Sequence, residues 1–551
     1  MSLSNQQRTI IDWFRYRIAR TPDRPALYVK SGGQYNERTW ADVGSLVLRA
    51  AHALDQWGVS AGDRVVLMSE NRLEWIVCDL ALQYLSAIHV PLHARLPASQ
   101  VAEQIRHSGA MWVIVSGPEQ LAKLQATRDR LPPDLPCLSF DDFDGLSPQR
   151  PIRNWSQWLP ERLDSAEADR LNRHADRHVT PETLATILYT SGTSGGPKGV
   201  VLSQGNLASN AQATWPATGE REDDLKMGFL PLSHIFARSC DLYIWIVCGN
   251  RLALAESRES VLEDCQLIRP TWINSVPYFY DQLYQQVANL ADPGQRLRQL
   301  LGGRMRYCQV GGAAIGKDTF DFFWKHGVPL YPGYGLTEAS PVVSVSSLDR
   351  VCWGTVGQPP AGIQVRLAND GEILTRGPHV MQGYWRDQAA TDQAIRDGWL
   401  HTGDLGAWNE RGLLEIRGRK KELIVTATGQ KIQPSRLETL LVQDPSIEQA
   451  FVTGDARGFP IALIFPARST TDHCSTADPQ TLQQRLRQRI DACLAELASH
   501  EQIRRFVLLP RPLSIEYGEL TPKASMRRSQ IANNWASLLE SIVNSDPKPE
   551  S

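Results

Sequence analysis

The N-terminal part of the chain alternates short apolar runs with helix-length amphipathic segments, and this alternation restricts the possible folds. Residues 65–68, 88–92 and 111–115 are apolar runs of strand length. Segments 74–84 and 98–107 lie between them and repeat their apolar residues at helical spacing. Strands that alternate with helices in this way form parallel sheets that are covered on both faces. The pattern therefore predicts an α/β fold.

The composition and periodicity of the sequence change three times after this region. Residues 141–180 are polar and weakly periodic, which predicts a loop-rich connection. Past residue 341, short β runs with turns predict a smaller β-rich unit, and a third pattern begins near 417. Because 551 residues are too many for one compact core, we expect several domains. Further strands are predicted at 186–189, 251–255, 272–275, 305–310 and 423–425, and helices at 434–442 and 480–498.

Charge and cysteine usage exclude several classes of protein. Lys and Arg number 58 against 60 Asp and Glu, so no excess of positive charge would attract nucleic acid. Nine cysteines are scattered without a C-x-x-C pair, which argues against a disulfide framework or a zinc site. The N-terminus lacks the pattern of a signal peptide, and the apolar run 242–254 is interrupted and too short to span a bilayer. We expect a cytoplasmic protein whose membrane contact, if any, is peripheral.

The stretch LYTSGTSGGPKG at 188–199 combines hydroxyl side chains, glycines and one lysine after an apolar strand. Glycine lets the backbone approach an anion closely, hydroxyls add donors, and Lys198 adds a positive charge. The stretch is not a Walker A loop, because Lys198 is followed by Gly199 and not by Ser or Thr. It predicts a triphosphate-binding loop, with a polar strand-to-helix turn that holds no ligand as the alternative.

Three later motifs carry further candidates for nucleotide binding. In YPGYGLTEAS, Tyr334 suits stacking on a base, Gly335 allows close backbone approach and Glu338 suits a magnesium ion. In WLHTGDLG, Asp404 suits two ribose hydroxyls. In GRKKELIV, Arg419 lies where the third pattern begins. Taken singly, each motif is equally compatible with an ordinary polar turn.

The order of these motifs decides between the alternatives. YTSGTSGGPKG, PLSHIFAR, YGLTE, GWLHTGD and GRKKELI follow one another as in the adenylate-forming superfamily, which the chain closely resembles from about residue 10 to 530. PLSHIFAR, LIRPTWINSVPYFYDQLY and VTATGQKIQP are most similar to long-chain fatty acyl-CoA synthetases. The resemblance implies a large N-terminal domain of two doubly wound α/β subdomains and a β-rich subdomain at 1–417. It also implies a smaller, mobile α+β domain at 418–545, followed by a disordered tail at 546–551.

The resemblance implies a role for each matching residue. Thr337 would approach the α-phosphate, Thr193 and Glu338 would lie near Mg²⁺, and His234 would lie at the mouth of the acyl pocket. Lys421 would be the hinge of the C-terminal domain, and 426–434 would line the pantetheine tunnel. The residues implied to bind ATP or AMP are Thr190, Ser191, Gly192, Thr193, Ser194, Gly195, Lys198, Gly312, Ala313, Ala314, Tyr334, Gly335, Asp404 and Arg419.

The chain departs from the family at a catalytic lysine near the C-terminus. In GELTPKASMRRSQI, alignment on Leu-Thr-Pro and on the Arg pair places Ser525 where relatives have that lysine. Lys523 lies two residues earlier, and in an extended loop it would point the same way about 6–7 Å away. Three hypotheses follow: Lys523 replaces the lysine, Arg527 or water does so at a reduced rate, or adenylation is lost.

These motifs together predict an AMP-forming acid–thiol ligase. It would activate a medium- or long-chain fatty acid with ATP and Mg²⁺ and transfer the acyl group to CoA, releasing AMP and pyrophosphate. One alternative is a ligase that passes the acyl group to an acyl carrier protein or another acceptor. The other alternative is a nucleotide-binding relative with weakened catalysis, as Ser525 suggests.

Overall fold

The computed structural model describes residues 9–143, 152–190, 198–426, 430–454, 459–467, 479–514, 516–520 and 526–544. The strands are β1 Pro25–Ser31, β2 Gln34–Thr39, β3 Arg64–Met68, β4 Ile88–Leu92, β5 Trp112–Val115, β6 Cys137–Ser139, β7 Ile152–Asn154, β8 Leu184–Thr190, β9 Lys198–Ser203, β10 Leu225–Gly228, β11 Arg251–Leu254, β12 Trp272–Ser275, β13 Tyr307–Val310, β14 Leu330–Gly335, β15 Val342–Val345, β16 Gln364–Leu367, β17 Glu372–Arg376, β18 Gly383–Tyr384, β19 Ile395–Arg396, β20 Trp399–Trp408, β21 Leu414–Arg419, β22 Ile424–Val425, β23 Lys431–Ile432, β24 Ile447–Thr453, β25 Ile461–Pro466 and β26 Arg505–Leu508.

The helices alternate with these strands through most of the chain. They are α1 Ile10–Arg20, α2 Trp40–Gln56, α3 Leu73–Tyr84, α4 Ala98–Ser108, α5 Pro118–Ala126, α6 Trp155–Trp158, α7 Ser165–His178, α8 Gln204–Thr218, α9 Ile235–Ala237, α10 Ile244–Cys248, α11 Val261–Ile268, α12 Pro277–Val287, α13 Pro293–Leu300, α14 Lys317–Lys325, α15 Gln388–Ala394, α16 Pro434–Val442, α17 Pro479–Cys493, α18 Arg528–Asn534 and α19 Ala536–Asn544. A π-helical turn, Arg238–Tyr243, joins α9 to α10, and 3₁₀ turns lie at Arg128–Arg130, Thr337–Ala339, Lys420–Glu422 and Ser499–Glu501.

Two eight-stranded sheets form the body of the N-terminal part. The first has the order β15-β14-β13-β12-β10-β11-β1-β2, with parallel inner strands and antiparallel edge strands. The second has the order β18-β9-β8-β4-β3-β5-β6-β7 and is parallel from β8 to β7. The inner strands of both sheets are largely buried, as is expected for parallel sheets covered by helices, whereas the edge strands β2 and β7 are polar and not buried.

Two smaller units complete the chain. Strands β16, β17, β19, β20 and β21 form a mainly antiparallel five-stranded sheet beside the two large sheets. The C-terminal part contains the pair β22–β23 and the sheet β24-β25-β26, packed with α16 and α17 around a separate apolar core. The predicted α/β fold, with a large N-terminal and a smaller C-terminal domain, is confirmed. The boundaries 1–417 and 418–545 stay predictions, and the tail 546–551 lies outside the described residues.

The buried elements agree with the sequence pattern, but the polar connection does not. Strands β4 and β12 and helix α16 have the bounds that the pattern predicts. The prediction of a loop-rich connection at 141–180 was wrong, because helix α7 occupies much of it. Only Leu171 and Ala175 of α7 are buried, one turn apart, so its apolar stripe is too narrow to give a clear period. Among the described residues, no helix is both long and apolar enough to cross a membrane.

Candidate active site

The two ends of the predicted phosphate loop are held together by a hairpin. Thr190 ends β8 and Lys198 begins β9, and the two residues are partners in the antiparallel register. The strand-to-helix alternative was therefore wrong in its geometry, since the segment joins two strands of one sheet. The predicted ligands Ser191, Gly192, Thr193, Ser194 and Gly195 lie outside the described residues. Their roles stay predictions.

Lys198 and Glu338 both contact one aromatic side chain, that of Tyr384. The Lys198 ammonium lies 4.9 Å from the centre of the Tyr384 ring. The Tyr384 hydroxyl donates a hydrogen bond of 2.8 Å to Glu338 Oε1. The fold thus joins the charged residue of the phosphate loop to the predicted metal-binding carboxylate, although they are far apart in the chain.

A second cluster lies where β14 of the first large sheet meets the five-stranded sheet that contains β20 and β21, which we call the small β unit. Asp404 and Arg419 are register partners on β20 and β21, and Arg419 Nε lies 2.8 Å from Asp404 Oδ1. The Tyr334 hydroxyl donates a hydrogen bond of 2.6 Å to Asp404 Oδ2. Burial raises the pKa of the Asp404 carboxyl, and the Arg419 guanidinium opposes that rise. Both carboxylate oxygens are therefore held in fixed directions, which suits an acceptor for vicinal hydroxyls.

Gly312, Ala313 and Ala314 follow directly after β13, at the carboxyl end of a strand parallel to β14. All three are exposed, and Gly312 has a φ of +86°, a conformation that favours glycine. Ligands of open α/β sheets bind at the carboxyl ends of the strands. The turn therefore lies on the same side of the sheet as Tyr334, as an adenine-binding role requires.

His234 lies in a half-buried turn that contacts the adenine-side loop through its neighbour Phe236. A methyl group on Gly311 would lie 2.9 Å from the Phe236 ring, so the two segments touch. His234 Nδ1 accepts a hydrogen bond from the backbone N–H of Phe236. Its Nε2 is buried and has no partner among the described residues, so it is available to a polar group of a ligand. Thr337 is half-buried in the 3₁₀ turn that also carries Glu338.

The last residue of PLSHIFAR, Arg238, anchors this turn to the second sheet. Arg238 is fully buried, pairs with the buried Asp79 of α3 and donates a hydrogen bond of 2.7 Å to Thr186 Oγ1 on β8. The Arg238 guanidinium holds the pKa of Asp79 below its usual value, against the effect of burial. Burial and the same guanidinium lower the pKa of His89, which contacts Asp79, to about 4. The turn that contains His234 and strand β8, which leads to the predicted phosphate loop, thus share one buried charge network.

We expect Arg238→Met to destabilise the N-terminal domain by about 3–5 kcal/mol, because it leaves Asp79 as a buried charge without its partner. The urea midpoint of that domain measures the effect. Lys317→Met is the control, since it removes a surface pair with Asp321 worth about 0.5 kcal/mol. Adding Asp79→Leu to Arg238→Met should restore part of the loss because no charge then remains alone. An unchanged midpoint for Arg238→Met would contradict this assignment.

The predicted hinge, Lys421, is exposed in the 3₁₀ turn that follows Arg419. Its neighbour Lys420 is held by the small β unit, with its ammonium 2.6 Å from Asp370 and 2.9 Å from Glu372. The chain is therefore anchored up to residue 420. A rotation of the C-terminal domain would have to begin after this anchor, where Lys421 stands.

The segment with Lys523 and Ser525 lies outside the described residues, but its two ends are described. Leu520 and Met526 form an isolated antiparallel bridge, and the backbone N–H of Arg527 donates to Glu519 O at 2.8 Å. Glu519 is itself buried and paired with Arg511 at 2.7 Å. The described residues on the two sides of 521–525 are therefore held together by these contacts.

Sequence reasoning missed Tyr384, Asp79 and Gln204. Tyr384 stands in QGYWRD, where a glycine precedes two aromatic residues, and this pattern is the signal that could have found it. Asp79 is hidden in an apolar helix, where one carboxylate among buried positions is the only sign. Gln204 is buried, donates to Gln83 and accepts from the backbone N–H of Ile10, so it fixes the start of α1.

Comparison with known families agrees with this geometry. The sequence model of the AMP-binding enzyme family matches residues 14–385. A second family model, that of the AMP-binding enzyme C-terminal domain, matches residues 421–546. The chain belongs to the AMP-binding enzyme family. The resemblance inferred from the motifs is therefore confirmed.

Curated relatives and solved structures of AMP-binding enzymes span most of the chain. The long-chain-fatty-acid–CoA ligase FadD15 of Mycobacterium tuberculosis is 34% identical over 575 residues, covering 93% of each chain. Long-chain-fatty-acid–CoA ligase 5 of Rattus norvegicus is 26% identical and covers 98% of this chain and 89% of its own. The anthranilate CoA ligase AuaEII, solved with anthranoyl-AMP, has a TM-score of 0.78 at 20% identity, over 96% and 98% of the chains. The A-PCP didomain of the carboxylic acid reductase of Segniliparus rugosus, solved with AMP, has a TM-score of 0.81 at 19% identity, over 98% and 83%.

Proposed function

We propose that this AMP-binding enzyme activates a medium- or long-chain fatty acid with ATP and transfers the acyl group to CoA. The observation that carries the proposal is that two clusters meet at the carboxyl end of β14, where Tyr334 and Glu338 lie four residues apart. In one cluster, Tyr334 and Arg419 hold Asp404, which would accept hydrogen bonds from the ribose hydroxyls. In the other, Lys198 would supply positive charge to the phosphates and Glu338 a carboxylate to their metal ion. The relatives named as long-chain fatty acid ligases support the choice of acid and acceptor.

The reaction takes two displacements at this site. The acid's carboxylate oxygen bonds to the α-phosphorus of ATP as the bond to pyrophosphate breaks, giving acyl-AMP. The CoA thiolate then bonds to the acyl carbon, and AMP leaves with the electron pair of the broken C–O bond. Lys198 and the hydroxyls of the loop would stabilise the phosphate charge, Thr337 would orient the α-phosphate, and Lys523 would bridge it to the acid.

The residues present suit a magnesium ion. Glu338 Oε1 accepts from Tyr384, and among the residues that the structure describes no donor reaches Oε2. Mg²⁺ takes one or two carboxylates together with phosphate oxygens, so Glu338 with Thr193 and ATP would be a sufficient set. When bound, the ion would supply positive charge to the phosphates.

The test is the release of pyrophosphate and AMP from MgATP across a panel of fatty acids, with and without CoA. Pyrophosphate that requires an acid, together with acyl-CoA that appears only when CoA is added, would support the proposal. Acid-dependent pyrophosphate without acyl-CoA would overturn the choice of acceptor. ATP binding without pyrophosphate from any acid would overturn the enzymatic function, and ADP as the sole nucleotide product would overturn the chemistry.

We expect Lys421→Pro to separate the two steps. Proline fixes φ near −65° and so opposes a rotation of the backbone at this residue. Acyl-AMP formation should stay within about twofold of the wild type, while thioester formation from supplied acyl-AMP should fall about tenfold, a barrier change of about 1.4 kcal/mol. Rapid-quench assays of each step measure this, with Lys421→Ala as control. Equal losses in both steps would argue against a hinge at Lys421.

A further inference from the structure

Tyr384 is a side chain of the site to which neither the motifs nor the predicted roles give a function. Its ring lies beneath the Lys198 ammonium, 4.9 Å from it, and its hydroxyl donates to Glu338 Oε1 at 2.8 Å. One rigid side chain therefore contacts both charged groups that are expected to act on the ATP phosphates and their metal. Because of this double contact, Tyr384 can influence the position of both charged groups.

The backbone around Tyr384 is held from several directions. Tyr384 pairs with Val200 in the antiparallel register of β18 and β9, and the next N–H, of Trp385, donates to Gly199 O at 2.7 Å. The N–H of Tyr384 itself donates to Thr391 Oγ1 at 2.9 Å. The ring is thus fixed directly beside the strand that begins with Lys198.

The same segment also fixes the residue that Tyr384 contacts. The backbone N–H of Met381 donates to the carbonyl oxygen of Glu338 at 2.9 Å. Both partners of the hydrogen bond are therefore held by backbone contacts, and the bond itself orients the carboxylate.

We propose that Tyr384 is a positioning residue that sets where the Glu338 carboxylate and the Lys198 ammonium stand relative to bound MgATP. The hydroxyl donates to Oε1 of Glu338, so Oε2 would be the oxygen available to a magnesium ion. The ring supports the ammonium through a cation–π contact. This inference rests on the proposed function only in its requirement that the protein binds ATP.

The test is ATP binding by calorimetry, without fatty acid, in Mg²⁺ and in EDTA. We expect Tyr384→Phe to raise the Kd of ATP about five- to tenfold in Mg²⁺, the effect of one hydrogen bond to a charged group. In EDTA its Kd should stay within about twofold of the wild type, because the ring remains. We expect Tyr384→Leu to weaken binding in EDTA as well, by about threefold, because Lys198 then loses the ring.

Tyr28→Phe is the matched control, since it removes the same kind of hydrogen bond, from Tyr28 to Glu37 at 3.0 Å, on strands β1 and β2. Its Kd should equal that of the wild type in both buffers. A Tyr384→Phe protein with wild-type melting temperature and wild-type Kd in Mg²⁺ would overturn the inference, as would an equal loss in Mg²⁺ and EDTA. Because the calorimetry uses no fatty acid, a wild type that binds MgATP but releases no pyrophosphate with any acid of the activity panel would overturn only the proposed function.

Discussion

Replacing Lys523 with alanine is expected to slow acyl-AMP formation about 100- to 1,000-fold, the cost of removing one charged donor from a developing negative charge. The ammonium would bridge the acid and the α-phosphate only during this first step. Thioester formation from supplied acyl-AMP should therefore stay within about twofold of the wild type. Single-turnover measurements of each half-reaction decide this.

A double variant that moves the lysine by two residues is the control for that result. Adding Ser525→Lys to Lys523→Ala places the ammonium where relatives carry it, and should restore most of the rate. The described residues on either side of this segment, Leu520 and Met526, form a bridge. Lys325→Ala, an exposed lysine of α14, should leave both half-reactions unchanged. Full activity of Lys523→Ala would instead favour Arg527 or water.

Replacing Asp404 with alanine is expected to raise the KM for ATP about 100-fold, which corresponds to about 2.7 kcal/mol of lost binding. The variant loses the acceptor for the ribose, and it also leaves the Tyr334 hydroxyl and the Arg419 guanidinium without their shared partner. Asp404→Asn keeps one acceptor oxygen for Tyr334, so we expect a smaller rise, about tenfold. Steady-state pyrophosphate release against ATP concentration measures both.

A ribose analogue shows whether the loss arises at the sugar. The wild type should discriminate against 2′-deoxy-ATP and 3′-deoxy-ATP, because each lacks one of the two hydroxyls that would donate to Asp404. The alanine variant should bind ATP and the deoxy analogues almost equally. Asp349→Ala, which removes an exposed aspartate bonded to Ser347, is the control and should behave as the wild type. Wild-type discrimination in Asp404→Ala would place the ribose elsewhere.

The sequence predicted most of the fold because the central strands carry a clear signal. Buried strands such as β3 and β5 are almost entirely apolar, and the bounds predicted for them agree with the structure to within one residue. The loop-rich interpretation of 141–180 failed at α7, a helix that buries only two residues and is otherwise polar. The sequence of a helix that packs through one narrow apolar stripe has no clear helical period. Such a sequence resembles that of a loop until the element that packs against the helix is known.

The candidate site was predictable to the extent that its residues stand in motifs. Lys198, Glu338, Asp404 and Arg419 each belong to a short stretch whose residue types suit phosphate, metal or ribose. Tyr384 stands in a Gly-Tyr-Trp stretch that draws attention to the residue, but these residue types do not indicate phosphate, metal or ribose binding. Its importance comes from a contact with Glu338, 46 residues earlier in the chain.

The sequence by itself determined the family, the α/β class and the chemical groups available, because these depend on residue identity, local spacing and motif order. The tertiary structure alone decided that β8 and β9 on the two sides of the predicted phosphate loop pair with each other, that Arg238 joins the turn of His234 to β8, and that Tyr384 lies between Lys198 and Glu338. These contacts depend on the order in which strands assemble into sheets. Local periodicity sets which face of a strand is buried, but not which distant strand pairs with it.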